Sequence, residues 1–248
     1  MNNTILEATG LTVTYGKLSV LWDITLKSPK GKLIGIIGPN GAGKSTFLKS
    51  SLGLVKPLSG TICFPHTPRN KIAYVPQKDT VDWDFPISVL DVVLMGRYGK
   101  GGFFMRTNKA DKEACLFALE QCGLQDLANR QIGQLSGGQK QRLFIARALA
   151  MDPDVFLMDE PFAGVDISSE EVIVQIMKKL KEDKKTLFVV HHDLSSVESY
   201  FDYLIMLSTR LVSSGPINEV FTKENLTKTY GKNQALFEEL TKKSFENL

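Results

Sequence analysis

Three short uncharged runs punctuate the chain: Leu33-Ile34-Gly35-Ile36-Ile37, Val155-Phe156-Leu157-Met158 and Thr186-Leu187-Phe188-Val189-Val190. Each reads as a strand buried on both faces. Residues 5 to 37 mostly alternate polar and apolar positions, with turn signals at Gly10, Tyr15-Gly16 and Pro29-Lys30-Gly31. That pattern predicts short antiparallel strands. After a turn at Pro57-Leu58-Ser59-Gly60, two more strands are expected, Thr61 to Phe64 and Lys71 to Val75. The second meets Pro76, which stops ladder pairing and leaves Gln77 at a strand tip. From Ser88 to Arg130 the pattern turns helical. Ser88 can cap a helix from Val89 to Met95, and Asp111 to Cys122 forms another, with Ala114, Phe117 and Ala118 on one face. Leu116, Phe117 and Leu119 read as core. Between these helices, Gly96 to Asn108 is rich in Gly, Phe and Arg and reads as a flexible or partner-facing link.

Lys140 to Met151 carries an apolar stripe of Leu143, Ala146, Leu149 and Ala150. Ser168-Ser169-Glu170-Glu171 predicts a capping box for a helix burying Val172, Ile173, Ile176 and Leu180. Tyr203 to Leu207 and Leu211 to Ser213 form a closing hairpin. The tail, about 223 to 248, is a short amphipathic helix at most, through Leu236, Phe237 and Leu240.

The chemistry gathers where apolar strands end. Leu33 to Ile37 runs into Gly38-Pro39-Asn40-Gly41-Ala42-Gly43-Lys44-Ser45-Thr46, and a helix follows from Phe47. Strand, glycine turn and helix, closed by Lys then Ser, is a phosphate-binding loop. Its glycines let backbone N–H groups face inward as an anion nest, and the helix start adds partial positive charge. Lys44 can reach β- and γ-phosphates, and the Ser45 hydroxyl can ligate Mg²⁺. Val155 to Met158 ends in Asp159-Glu160. Adjacent carboxylates at an apolar strand tip are costly unless a cation or a proton transfer uses them. Asp159 suits Mg²⁺, and Glu160, pointing the other way by strand alternation, suits a water as base. Thr186 to Val190 ends in His191-His192. Adjacent strand residues face opposite ways and cannot easily share one ion, so one His suits a γ-phosphate contact.

Other features leave two readings open. Tyr15 either packs or stacks on a nucleotide base. Leu135-Ser136-Gly137-Gly138-Gln139 is either a Ser-capped helix start or a second anion site. Val81-Asp82-Trp83-Asp84-Phe85-Pro86 is either a docking surface or a packed corner. Asn108-Lys109-Ala110-Asp111 looks like a guanine-reading motif but follows no apolar strand, so it reads as a helix start with solvated charge.

At 248 residues the chain is one domain, or one with subdomains. Its net charge of +3 and pI of about 8.6 suit an anionic ligand without demanding nucleic acid. No apolar run is long enough to span a bilayer, and the N-terminus lacks signal-peptide regions. The expectation is a cytosolic chain that meets a membrane only through a partner. The sparse cysteines, Cys63, Cys115 and Cys122, lack metal-binding spacing and suit reduced thiols in a core.

Taken jointly, these residues resemble the nucleotide-binding subunit of ABC transporters over almost the whole chain. The phosphate loop, Gln77, Leu135 to Gln139 as signature, Phe156 to Glu160 as second Walker motif, Asp166 and His192 stand in the family's order and spacing. Gly164-Val165-Asp166 is a mild variant of a loop that usually reads Ala-Leu-Asp. Val81 to Pro86 and Leu90 to Arg97 look like the bacterial manganese, iron and zinc importer branch, and the Trp-Asp-Phe-Pro form most like its manganese/iron side.

The resemblance implies an α/β fold, the ABC nucleotide-binding domain. It has a RecA-like P-loop core, an antiparallel β subdomain and an α-helical insertion from about Ser88, its subdomain reaching about residue 150. It implies that Tyr15 stacks on adenine and that Gly41, Gly43, Lys44 and Thr46 hold the phosphates of ATP. Ser45, Gln77 and Asp159 organise Mg²⁺, Glu160 activates water, and His192 steadies the γ-phosphate. Ser136, Gly137, Gly138, Gln139 and Asp166 belong to the surface that a second copy presents to the nucleotide. The implied partners are that second copy, an integral membrane permease and, indirectly, an extracellular or periplasmic metal-binding protein, with no nucleic acid. The implied place is the cytoplasmic face of the membrane. A soluble ATPase of an assembly system, such as iron–sulfur cluster biogenesis, is the alternative.

Overall fold

The computed structural model describes residues 3–77, 81–97 and 108–231. In chain order these form β1 (Thr4–Tyr15), β2 (Leu18–Pro29), β3 (Leu33–Ile37), α1 (Lys44–Ser51), β4 (Ser59–Cys63) and β5 (Ile72–Val75). Then come α2 (Val89–Leu94), α3 (Lys109–Gln121), α4 (Gly137–Ala150), β6 (Val155–Met158), α5 (Ile167–Glu182) and β7 (Thr186–Val190). The remainder is α6 (Val197–Tyr200), β8 (Tyr203–Ser208), β9 (Arg210–Pro216), α7 (Ile217–Val220) and α8 (Lys223–Tyr230). Among the described residues no helix is long and apolar enough to cross a membrane. The chain divides into two compact units, one running to Thr67 and resuming at Thr186, the other spanning Pro68–Lys185.

The first unit holds an antiparallel sheet in the order β2-β1-β4. Leu6, Leu11, Val13, Leu21 and Ile24 are fully buried in it. Gly10 does not end a strand as the turn signals suggest. It lies inside the 12-residue β1 with φ 57°, between the pairs Ala8↔Leu26 and Leu11↔Ile24. Three steps on β1 match two on β2, which is a bulge, and the left-handed position suits glycine. The same unit carries β3 between β7 and β8, parallel to both, with β9 antiparallel at the edge. All five residues of β3 are buried, as a strand flanked on both sides requires.

In the second unit β5 and β6 pair in parallel, Val75 opposite Met158. Helices α2, α3 and α4 pack together, and α5 packs on α4. Asn108 caps α3 in a capping box with Asp111, which disposes of the guanine-reading motif. The buried stripe of α3 is Cys115, Ala118, Leu119 and Cys122, at i, i+3, i+4, i+7. Phe117 falls outside it and is 61% exposed, not core. Helix α5 starts one residue before the expected capping box, because Asp166 takes the cap by accepting from Ser169 N–H at 2.9 Å. Cys115 and Cys122 are buried, whereas Cys63 is exposed at a strand end and belongs to no core. Leu236, Phe237 and Leu240 of the tail, and the link between Arg97 and Asn108, lie outside the described residues.

Candidate functional site

In the first unit, β3 delivers the chain into the glycine loop and α1 opens at Lys44. Gly43 sits at φ 92°, and a Cβ there would strike Leu21 and the Val20 carbonyl. Gly41, at φ 81°, has open space around it, so only its backbone conformation calls for glycine. The loop is braced from outside by Thr209 N–H, which donates to the Ala42 carbonyl at 3.2 Å. Lys44 is buried, and its Nζ donates to the carbonyls of Gly38 at 2.8 Å and Pro39 at 3.0 Å. The start of α1 carries no side-chain cap. A buried ammonium, an uncapped helix start and a glycine-lined bend gather donors of the kind that phosphate oxygens take. Asn40 and Gly41 stand exposed at its rim, Ser45 is half-buried and Thr46 buried.

Because β7 runs parallel to β3, with His191 N–H donating to the Ile36 carbonyl at 3.1 Å, both strands end at one level. His192 is exposed there, while His191 is buried, its Nε2 2.8 Å from Ser196 Oγ. Burial pushes the His191 imidazole down to about 4, despite the opposing pull of Asp193, so it is neutral at pH 7. Tyr15 ends β1 with half its surface exposed, so a ring face remains open to stacking.

In the second unit, β5 and β6 end side by side, and Asp159 N–H donates to the Val75 carbonyl at 3.0 Å. The Asp159 carboxylate is buried and accepts from the Tyr74 hydroxyl at 3.2 Å. Burial, reinforced by Asp159, holds the Tyr74 phenol well above its ordinary value, so it stays a donor. Tyr74 escaped the sequence reading. The signal was a polar-tipped aromatic inside a buried strand, which needs a partner for its hydroxyl. Glu160 is half-buried, and Gln77 Nε2 donates to its Oε2 at 3.3 Å. Strand alternation does not orient Glu160: β6 ends at Met158, and Glu160 has φ 50°. A left-handed turn, uncommon for a non-glycine residue, is what separates the two carboxylates.

Ser136 caps α4. Its Oγ accepts from Gln139 N–H at 3.3 Å, while Gln139 Oε1 accepts from Ser136 N–H at 2.9 Å. Gly137 and Gly138 form the first turn. A Cβ on Gly138 would collide with Ser169 and crowd the Asp166 carboxylate. Hydrogen bonds from Ser168 and from the Ser169 amide pull Asp166 down to about 2. Trp83 packs on Phe144 of α4, ring centroids 5.2 Å apart, with Lys140 Nζ 4.8 Å over its ring. Beside it lies a cavity of about 380 Å³ lined by Trp83, Phe85, Val92, Met95, Ile132 and Phe144, among others.

A buried lysine in a glycine loop between strand and helix is the frame of a phosphate-loop nucleotide-binding protein. The chain belongs to the ABC transporter family, whose model matches residues 21–163. It is 55% identical over 229 residues to the manganese transport system ATP-binding protein MntB of Bacillus subtilis (strain 168), across 91% of this chain and 92% of that one. It is 48% identical over 225 residues to the zinc transport system ATP-binding protein TroB of Treponema pallidum (strain Nichols), across 89% and 85%. Its fold matches a dimeric ATP-binding cassette in a post-hydrolysis state bound to ADP and Pi, with TM-score 0.75 and 29% identity over 86% of this chain and 99% of that one.

Proposed function

We propose that this chain hydrolyses ATP to drive import of a divalent transition metal through a membrane permease, with manganese, iron and zinc as candidate cargo. The observation that carries the proposal is the coexistence of an intact phosphate loop and carboxylate pair with 55% identity to a manganese-transport ATP-binding protein along 91% of the chain. The zinc-transport relative supports a metal cargo without choosing among metals. Both relatives are transport subunits, which favours transport over the assembly alternative.

Within the site, Tyr15 stacks on adenine. The loop from Gly38 to Thr46 encloses the phosphates, and Lys44 exchanges the Gly38 and Pro39 carbonyls for phosphate oxygens. Ser45, Gln77 and Asp159 would hold Mg²⁺: hydroxyl, amide oxygen and buried carboxylate are the hard oxygen donors it takes. Bound there, Mg²⁺ would supply positive charge that offsets the charge of the phosphates. Glu160, tethered by Gln77, accepts the proton of the attacking water. His192 donates to the γ-phosphate, and Ser136, Gly137, Gly138 and Gln139 of a second copy cap its far face, with Asp166 beside them. The dimeric ADP- and Pi-bound cassette supports the two-copy arrangement. The chain works as a peripheral subunit at the cytoplasmic face, and a metal-binding protein outside the membrane delivers cargo to the permease.

The test is purification from native membranes together with metal uptake by cells lacking the chain. Co-isolation of a polytopic membrane protein, with uptake lost on deletion and restored by the wild-type gene, is the expected result. Recovery in a soluble assembly complex, with uptake unaffected by deletion, overturns the proposal.

A further inference from the structure

Tyr74 is the one polar-tipped residue of β5, whose other members, Ile72, Ala73 and Val75, are buried and apolar. Packing alone would be met by phenylalanine, so the hydroxyl calls for a use of its own. The strand register supplies one. Tyr74 pairs with Leu157, and Val75 with Met158. Asp159 N–H donates to the Val75 carbonyl at 3.0 Å and so carries the ladder one step past the end of β6. Residues two apart along a strand share a face, which sets Asp159 on the side of the sheet that Tyr74 and Leu157 occupy. There the Tyr74 hydroxyl donates to Asp159 Oδ2 at 3.2 Å.

The tyrosine is itself held in place. Arg147 of α4 donates from Nη2 to the Tyr74 carbonyl at 3.3 Å, and its guanidinium lies 5.2 Å from the centroid of the Phe144 ring. The Asp159 carboxylate is buried, where a loose charged group is costly. A neutral hydroxyl fixes the orientation of such a group without cancelling its charge, as an ammonium or guanidinium would. An ionised carboxylate has about four acceptor positions, so one hydrogen bond leaves it able to take a metal.

We propose that Tyr74 is a positioning residue of the nucleotide site: its hydroxyl holds the Asp159 carboxylate in the orientation that receives the divalent cation accompanying the nucleotide. The proposal rests on the reading of Asp159 as an Mg²⁺ ligand beside bound ATP.

Tyr74→Phe removes the donor and keeps the ring. The experiment measures Kd for a non-hydrolysable ATP analogue, in Mg²⁺ and in EDTA, for wild type, Tyr74→Phe, Asp159→Ala and the double variant, with the nucleotide-free thermal midpoint of each. In wild type, Mg²⁺ tightens binding. In Tyr74→Phe that gain should shrink by about 10-fold, the scale of removing a group that orients a metal ligand. Its Kd in EDTA should stay within about twofold of wild type. In the Asp159→Ala background Tyr74→Phe should change neither Kd, because the residue acts through that carboxylate. A lower midpoint alone does not produce this pattern: a merely structural role weakens binding equally with and without Mg²⁺, and that result overturns the proposal. So does an unchanged Mg²⁺ gain in Tyr74→Phe, or a Tyr74→Phe effect that persists without Asp159. A wild-type chain that fails to bind the analogue, or an Asp159→Ala variant that keeps the full Mg²⁺ gain, sinks the underlying reading of the site. If Asp159→Ala loses the gain and Tyr74→Phe keeps it, only the role of Tyr74 falls.

Discussion

Asp159 and Glu160 are sequence neighbours with opposite surroundings. Asp159 is buried against the Tyr74 hydroxyl, and Glu160 hangs on a left-handed turn within reach of Gln77. Opposed environments suit the two carboxylates to the different roles proposed for them, metal ligand for Asp159 and base for Glu160. Glu160→Gln should therefore leave ATP binding intact while turnover falls by about 10²-fold or more, the scale of a lost general base. Phosphate release measured beside nucleotide affinity checks this, and unimpaired turnover removes Glu160 from the role. The histidine pair divides similarly, into exposed His192 and buried His191. Burial lowers His191 from 6.5 to about 4, so between those values the unfolded chain holds the proton and the native chain does not. Its contribution to stability is thus full above pH 6.5 and lost as pH falls from there toward 4. Denaturant midpoints at pH 7.5 and 5.5 should differ in wild type and differ less in His191→Gln.

At the scale of elements, the corner joining the starts of α4 and α5 turns on one glycine. Gly138 lies against Ser169 and Asp166, which caps α5. Gly138→Ala forces a methyl into that contact and should cost about 1–3 kcal/mol, the usual range for overpacking. Urea unfolding of the variant measures it, and a midpoint equal to wild type shows that the corner can give way. Neither this contact nor the Asp166 cap was legible beforehand. Ser168 to Glu171 spells a capping box in its own right, and only the fold shows that the aspartate two residues earlier had taken the position. Phe117 failed for a related reason. Ala114, Phe117 and Ala118 share a helical period, but the buried stripe through Cys115, Ala118 and Leu119 is displaced from Ala114 and Phe117. Periodicity yields a face without saying which edge of it is covered. By contrast, the phosphate loop, the strand-tip residues Gln77 and Asp159, the Ser88 cap of α2 and, as one of two readings, the Ser136 cap of α4 were readable, because local backbone chemistry determines each of them. The turn at Glu160 was not, since nothing in residue type announces a positive φ on glutamate.

At the scale of the whole molecule, the proposed function requires that work pass across the chain's surface to a permease. The stretch suited to that follows Gln77 directly. Gln77 reaches Glu160 at its amide end, and six residues on, Trp83 leans on Phe144 of the helix that Ser136 caps. Phe85 stands 59% exposed beside it, on a cavity of about 380 Å³ that also takes in Val92, Met95 and Ile132. The two readings of this segment are therefore not exclusive: Trp83 packs, and the packing leaves an apolar hollow of a size to admit side chains of a short partner helix. A shift of Gln77 with the γ-phosphate would reposition the rim of that hollow and so move whatever it holds. Trp83→Ala deletes one wall while leaving the phosphate loop and both carboxylates untouched. Basal ATPase of the isolated chain should stay within about twofold of wild type, whereas metal uptake by cells carrying the variant should fall by at least about tenfold, the scale of a lost aromatic anchor. Uptake equal to wild type, with the variant present at normal abundance on the membrane, removes this surface from the coupling path.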